Sequence, residues 1–243
     1  MNLVLAALLG WLAGWLVNYL ADVLPTTRKF SRPACPRCHK PYHWGDYLLL
    51  RRCPACGQRR SWRTLIVQII LTAVPPVLLV FPRLLPFPLA FLLFIYLSLV
   101  FVIDVEHRLI LHPVSWFGAA LGLVIGSILH KPIPTLIGGA VGFGVMLVFY
   151  FVGEWYVRIM VKRRGMSKDE VALGFGDVNL SGILGLLLGW PGIVAGLLFG
   201  VLAGGLVSLI IILGMLISKK YKAFRAIPYA PFLIISALLL YIR

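Results

Sequence analysis

The sequence predicts an all-α polytopic membrane protein, and three observations support that fold class. Of the 243 residues, 60% are hydrophobic and the mean hydropathy is +0.96, values that exclude an ordinary soluble globular domain. Only 8 residues are acidic, against 23 lysines and arginines. The basic residues are concentrated in short segments between long apolar runs, so the net charge of +15 indicates membrane topology and not nucleic-acid binding.

Eight apolar runs are candidate transmembrane helices, since a helix needs roughly 20 apolar residues to cross the bilayer core. The first run has neither a basic leading region nor a small-residue cleavage site, so we interpret it as a retained helix and not as a signal peptide. The runs comprise residues 2–24, 64–82, 85–105, 110–129, 133–157, 171–190, 192–217 and 226–242.

The orientation follows from the basic residues. They cluster in residues 25–63, in the loop after the fifth run and in the loop after the seventh, and the positive-inside rule places these three segments in the cytoplasm. Both termini are then expected outside. Asp104, at the end of the inward third run, and Asp177, near the start of the outward sixth run, are therefore expected at a similar depth near the cytoplasmic face of the inner membrane.

Small residues on two runs predict close helix packing. Gly192, Gly196, Gly200 and Gly204 recur every four residues along the seventh run, which places them on one helix face. The fifth run contains a looser group of glycines, at positions 138, 139, 142 and 144. We interpret both groups as packing features.

The four cysteines form two CxxC pairs in the polar segment, within "CPRCHKPYHWGDYLLLRRCPACG". Fourteen residues separate the pairs, and a segment facing the reducing cytoplasm disfavours disulfides. Four thiolates in this spacing are typical of a closed, structural Zn²⁺ site, with a redox pair as the alternative. The sequence therefore predicts a small cytoplasmic zinc-binding insertion whose ligands are Cys35, Cys38, Cys53 and Cys56.

Asp104 and Asp177 are the second candidate site, because ionisable groups inside membrane spans are costly and usually functional. Two carboxylates that share one site share one proton and can activate a water between them, as in aspartyl proteases. The alternatives are an acid at the membrane interface, an ion pair with an arginine, or a cation-transport site. Asp22 is expected to be solvated at the membrane border, and Glu154 is expected to pair with Arg158 across one helical turn.

In combination, the motifs resemble the prepilin peptidase family, the type IV leader peptidases among the GxGD intramembrane aspartyl proteases. The four-cysteine segment is similar to the family's zinc-binding segment. "IDVEHRLI" and "GFGDVNL" are similar to its two catalytic-aspartate motifs, and "IPYAPFL" is similar to the Pro-rich motif before its last helix. Four positions depart from the family pattern. Leu111 and His112 replace its Pro–Asp pair, Asn179 replaces a frequent Lys, and Gln68 stands near a frequent Glu.

The resemblance implies an enzyme that removes the leader peptide of type IV prepilins or pseudopilins at the cytoplasmic face. Asp104 and Asp177 would be catalytic, while Gly174 and Gly176 would let the substrate backbone approach. It also implies that the enzyme N-methylates the new amino terminus with a methyl group from S-adenosylmethionine. The departures from the family pattern at Gln68 and Asn179 bear on whether this chain has that activity. The expected division is a first transmembrane helix (1–24), a zinc-binding segment (25–63) and a membrane-embedded peptidase domain (64–243).

Two rival functions use the same residues. A cation-coupled transporter would employ Asp104 and Asp177 for ion flux and would not need a metal segment. A zinc-dependent scaffold would use the four cysteines and leave the acids structural. Cleavage of a prepilin peptide by the purified protein would exclude both.

Overall fold

A computed structural model describes residues 2–80, 85–164, 174–217 and 228–242. The chain divides into two compact units, an N-terminal unit over Met1–Ile103 and a C-terminal unit over Asp104–Arg243. The described ranges are helical, with no β-strand beyond one isolated bridge between Ala34 and Pro41. The start of the sixth predicted run and the basic residues between the seventh and eighth lie outside these ranges.

Eight apolar helices in the described residues match the eight predicted runs, which confirms the fold class. Six are long and apolar enough to cross a membrane, and the other two are shorter. A short helix, α2, lies in the polar segment. The helices are α1 (Leu3–Thr27), α2 (Trp44–Leu48), α3 (Trp62–Val80), α4 (Phe87–His107), α5 (His112–His130), α6 (Pro132–Arg164), α7 (Phe175–Leu188), α8 (Gly192–Ile217) and α9 (Ala230–Ile242).

The lengths of three helices differ from the prediction. The helix of the fifth run continues seven residues beyond its predicted end, and α6 is therefore about 50 Å long at 1.5 Å per residue. Glu154 and Arg158 form the predicted ion pair on its far end, with 3.5 Å between Oε2 and Nη2. In contrast, α7 and α9 are only about 20 Å long. Neither can cross a bilayer core of about 30 Å as a helix alone.

In the N-terminal unit, α1 packs closely against α3. A Cβ added to Gly14 would lie 2.8 Å from Oε1 of Gln68, so the glutamine side chain fits only because α1 has a glycine there. Gln68 Nε2 donates a 2.7 Å hydrogen bond to the carbonyl oxygen of Trp11. The buried Asn18 donates from Nδ2 to the carbonyl oxygen of Thr64 at 3.1 Å. These polar contacts fix the register of the two helices.

Helix α7 lies at the centre of the C-terminal unit and packs against α5, α6, α8 and α9. The glycines predicted as packing features on α6 produce this approach. A Cβ on Gly138 would lie 2.4 Å from the carbonyl oxygen of Gly185, and one on Gly142 would lie 2.3 Å from that of Ser181. Gly144 faces open space instead. The backbone of α6 therefore contacts that of α7 directly.

The glycine stripe on α8 accommodates α9, as its spacing predicts. A Cβ on Gly200 would lie 2.8 Å from Leu233, and one on Gly204 would lie 2.8 Å from the ring of Tyr229. Ser236 Oγ donates a 2.8 Å hydrogen bond to the carbonyl oxygen of Gly196, which joins the two helices. The stripe therefore fixes the position of the first turn of α9.

We predict that Gly138→Ala destabilises the protein, because its Cβ meets backbone atoms of α7 that cannot move aside. The expected loss in the free energy of unfolding is about 1–3 kcal/mol, the range for an overpacked interior. Denaturant unfolding in detergent micelles measures it. Gly144→Ala on the same helix is the matched control and should leave stability unchanged or slightly higher. Equal effects of the two substitutions would contradict the packing role of Gly138.

Candidate active site and metal centre

The position of Asp177 is explained by the start of α7. Gly174 is the N-cap residue of this helix and has no side chain to bond the first turn. At the third helical position, the Asp177 carboxylate lies beside the backbone N–H of Gly174. This is the position of the acid in a capping box, and the positive end of the helix dipole also favours an acid there. The GxGD sequence thus has a local structural role, independent of any chemistry.

Asp104 also contacts a helix N-terminus, but the helix is a different one. It lies in the last turn of α4, only 4% exposed, where its own helix dipole disfavours negative charge. Its carboxylate lies beside the backbone N–H of Ala230, the first residue of α9. Its Oδ2 atom is buried and has no hydrogen-bond partner among the described residues. One oxygen of this acid is therefore left to bind something else.

The structure brings the two acids together. Asp177 is 9% exposed, and the carboxylates of Asp104 and Asp177 interact electrostatically. Tyr229, which immediately precedes α9, also interacts with Asp177. The result is a pair of buried, interacting carboxylates, each beside one backbone N–H at a helix start. Such a pair can hold a proton between its members and can polarise a water molecule.

The two glycines of the GxGD motif have different surroundings. A Cβ on Gly176 would lie 2.9 Å from Cβ of Ile110, in the link between α4 and α5. A Cβ on Gly174 would meet Asp177 Oδ2 at an ordinary 3.6 Å. Gly176 is thus needed for the packing of Ile110 on the Asp177 turn, whereas Gly174 has space beside it. Substrate contact by either glycine stays a prediction.

A cavity of about 400 Å³ lies beside α7, between α5 and α6. Its lining includes His112, Ser115, Phe175 and Asn179. Phe175 lies two residues before Asp177, and Asn179 lies two residues after it. A separation of two residues along a helix corresponds to a rotation of about 200° around its axis. The cavity therefore lies on the face of α7 opposite Asp177, and Asn179 points away from the acid pair.

The four cysteines form a cluster in the N-terminal unit, with all four sulfur atoms within 4.8 Å of one another. The Sγ atoms of Cys35 and Cys56 are 3.6 Å apart, and those of Cys38 and Cys53 are 3.7 Å apart. A tetrahedral zinc site with bonds of about 2.3 Å requires sulfur separations of about 3.8 Å. These distances fit a tetrahedral metal and are far too long for disulfides.

Both CxxC pairs fold into the same turn. Cys35 N–H donates to the carbonyl oxygen of Lys40, and Cys53 N–H donates to that of Gln58, both at 2.9 Å. The residue four positions after the first cysteine of each pair is left-handed, His39 with φ 56° and Gly57 with φ 69°. His39 is thus a turn residue, and neither His39 nor His43 belongs to the sulfur cluster.

The thiol of Cys35 is adapted to hold a metal. Burial alone would raise its pKa, but the backbone N–H groups of Cys38 and Arg37, together with the thiols of Cys56 and Cys38, lower the pKa to about 6. A thiolate is the form that binds a metal ion. The surroundings of Cys35 therefore favour the form that would hold a metal.

Asp22 is not solvated, so that expectation was wrong. Its carboxylate accepts hydrogen bonds from Tyr47 at 2.7 Å and from Arg60 at 3.0 Å, and it forms a close ion pair with Arg63. The Arg60 guanidinium also lies over the Tyr47 ring, 4.3 Å from its centroid. Asp22 thus connects the cysteine segment to α1.

Three groups at the acid pair were not identified from the sequence. Ile110 and Tyr229 are ordinary apolar and aromatic residues that carry no signal of their role. The donor on Ala230 is a backbone N–H, which any residue except proline supplies. The "IPYAPFL" motif marked the region of Ala230 without indicating that it would meet Asp104.

Comparisons with known proteins agree with this site. Residues 91–209, which include both acids, match the model of the type IV leader peptidase family. A relative from Aeromonas salmonicida (strain A449) is 25% identical over 84% of this chain and 69% of its own length. One from Aeromonas hydrophila is 25% identical over 88% and 72%, and one from Myxococcus xanthus (strain DK1622) is 30% identical over 78% and 57%.

All three relatives are named prepilin leader peptidase/N-methyltransferase. No solved structure matches the chain. The apolar helices make it a multi-pass membrane protein, and the resemblance noted in the sequence is confirmed. The segment that contains Asp104 and Asp177, just under half of the chain, is similar to the type IV leader peptidase family.

Proposed function

We propose that the chain is a membrane aspartyl endopeptidase that removes the leader peptide of type IV prepilins or pseudopilins. The observation that carries this proposal is the electrostatic interaction between Asp104 and Asp177, two buried acids from different helices within the segment that matches the family model. A solitary capping acid would explain Asp177 alone. It would not explain a second buried acid close enough to interact with the first.

In the proposed reaction the acid pair shares one proton. The ionised carboxylate takes a proton from a water molecule, whose oxygen attacks the scissile carbonyl carbon, while the protonated carboxyl gives its proton to the carbonyl oxygen. The tetrahedral intermediate then collapses: a carboxyl proton passes to the leaving amine as the C–N bond breaks, and a hydroxyl proton of the intermediate returns to the ionised carboxylate. The backbone N–H groups beside the two carboxylates, those of Gly174 and Ala230, would orient them during these proton transfers.

The proposed orientation places the cysteine segment and the acid pair at the cytoplasmic face of the inner membrane. The excess of Lys and Arg in residues 25–63 supports this orientation through the positive-inside rule. The leader peptide would be cut where it leaves the bilayer on that side. A cation-coupled transporter remains the rival, and it predicts ion flux without proteolysis.

Methylation of the new amino terminus from S-adenosylmethionine belongs to the proposal because the relatives' names carry it. Gln68, where the family often has an acid, is buried between α1 and α3 and bonded to the Trp11 carbonyl. Transfer of a labelled methyl group to the cleaved product tests this activity separately from cleavage.

We predict that Asp104→Asn and Asp177→Asn each abolish cleavage of a prepilin peptide, because neither acid alone can pass both protons. Loss of an acid–base partner costs roughly 10²–10⁴-fold in rate. Quantitative mass spectrometry of the cleaved peptide gives the rate. Glu154→Gln, which removes an acid paired with Arg158 on α6, is the control and should cleave normally. More than about a hundredth of wild-type activity in either aspartate variant would contradict the assignment.

We predict that Gly176→Val strongly reduces cleavage, because its side chain would displace Ile110 from the Asp177 turn. Gly174→Ala should be nearly neutral, since its Cβ has an ordinary contact. The double variant Ile110→Gly/Gly176→Ala identifies the cause, because Ile110→Gly removes the Cβ atom that the new side chain would meet. If the double variant cleaves faster than Gly176→Ala alone, the defect is due to packing against Ile110. If it does not, the substrate backbone needs the glycine. Full activity of Gly176→Val would exclude both explanations.

We propose that Cys35, Cys38, Cys53 and Cys56 hold one structural Zn²⁺, because the sulfur separations fit a tetrahedral ion and four protein ligands leave no open position. The freshly purified protein should contain one zinc per chain by elemental analysis. Cys53→Ser should lose the metal, and His43→Ala should keep it. A metal-free wild-type protein, or equal zinc content in both variants, would refute the site.

A further inference from the structure

Ser181 has a buried hydroxyl that the proposed reaction does not use. It lies on α7 with 0% exposure, and its Oγ has no hydrogen-bond partner among the described residues. The buried Ser236 on α9 is a useful contrast. Its Oγ donates to the carbonyl oxygens of Gly196 and Leu233, at 2.8 and 2.9 Å. An isolated buried hydroxyl costs free energy, so the one at Ser181 requires an explanation.

Ser181 follows Asp177 by four residues, which places both side chains on the same face of α7. Residues at this spacing have Cβ atoms about 5–6 Å apart. One water molecule that makes two hydrogen bonds of about 2.8 Å can connect polar groups across such a gap. Both residues are also closed off from bulk solvent, since Ser181 is 0% and Asp177 is 9% exposed.

A second orphaned atom belongs to the same site. Asp104 Oδ2 is buried without a partner among the described residues, and Asp104 interacts with Asp177. A buried water is stable only where two to four polar groups surround it. Ser181 Oγ and the Asp177 carboxylate supply two such groups on one helix face, with the Asp104 carboxylate beside them.

We propose that Ser181 is a positioning residue of the peptidase site, which holds an ordered water against the Asp177 carboxylate. The hydroxyl fixes the water, and the water fixes the rotamer of the carboxylate that faces Asp104. Ser181 itself neither contacts the peptide nor transfers a proton in the reaction. This inference rests on the proposed aspartyl peptidase function.

The test compares kcat, KM and thermal stability for Ser181→Ala, Ser181→Thr and Ser181→Val. Threonine and valine have the same shape and differ only in hydroxyl against methyl, so their comparison cancels the effect of the added bulk. Ser236→Ala is the control, a buried serine whose hydroxyl bonds only backbone carbonyls. We expect Ser181→Ala to lower kcat about tenfold with KM changed less than twofold. We expect the kcat of Ser181→Thr to be about tenfold higher than that of Ser181→Val, and Ser236→Ala to keep the wild-type kcat.

A merely structural serine would change melting temperature without this separation of kcat from KM. Wild-type kcat in Ser181→Ala overturns the inference, and so does equal kcat in the threonine and valine variants. If the alanine variant does not fold, the threonine–valine pair decides. Failure of the proposed function gives a different result, because Asp104→Asn and Asp177→Asn would then still cleave. In that case the proposed role of Ser181 would also be refuted. Inactive aspartate variants together with a fully active Ser181→Ala refute only the present inference.

Discussion

The interaction of each buried acid with a backbone N–H at a helix start determines the arrangement of the site. The N–H of Gly174 lies beside the Asp177 carboxylate, and that of Ala230 lies beside the Asp104 carboxylate. Each acid requires a helix that begins at its depth. This explains why α7 and α9 are too short to cross the bilayer, while their neighbours are long enough. A carboxylate in an apolar surrounding needs donors, and a helix start provides backbone N–H groups that have no partner within their own helix. The short lengths of α7 and α9 therefore follow from the need to bring a helix N-terminus to each buried acid.

Glycines hold that arrangement in place. Those on α6 bring its backbone against α7, and those on α8 bring it against the first turn of α9. Without a hydrophobic driving force between helices in lipid, close packing of this kind is a main source of helix association. The same close packing occurs next to the acids, where Gly204 packs against Tyr229 and Gly176 packs against Ile110. The positions of the carboxylates thus depend on residues that have no side chain.

The sequence predicted those parts of the structure that depend on local chemistry. Apolar runs of about 20 residues predicted the eight apolar helices of the described residues, and two CxxC pairs predicted the cysteine cluster. Both patterns are visible because each lies within a short stretch of sequence. Lateral packing has no such signal. The partnership of Asp104 with Ala230, the contact of Ile110 with Gly176 and the orphaned hydroxyl of Ser181 all depend on which helices are neighbours. The mistaken expectation for Asp22 has the same origin, since its arginine partners lie 38 and 41 residues later in the chain.

Those separations have a consequence for the order of events during biosynthesis. The ribosome makes α1 before Tyr47, Arg60 and Arg63, so Asp22 cannot be fully paired until the chain has been extended by 41 residues. The two arginines lie just where α3 begins, and Asn18 bonds the Thr64 carbonyl at the same place. The contacts that join the first two membrane helices at this end therefore form only after the whole cysteine segment has been synthesised.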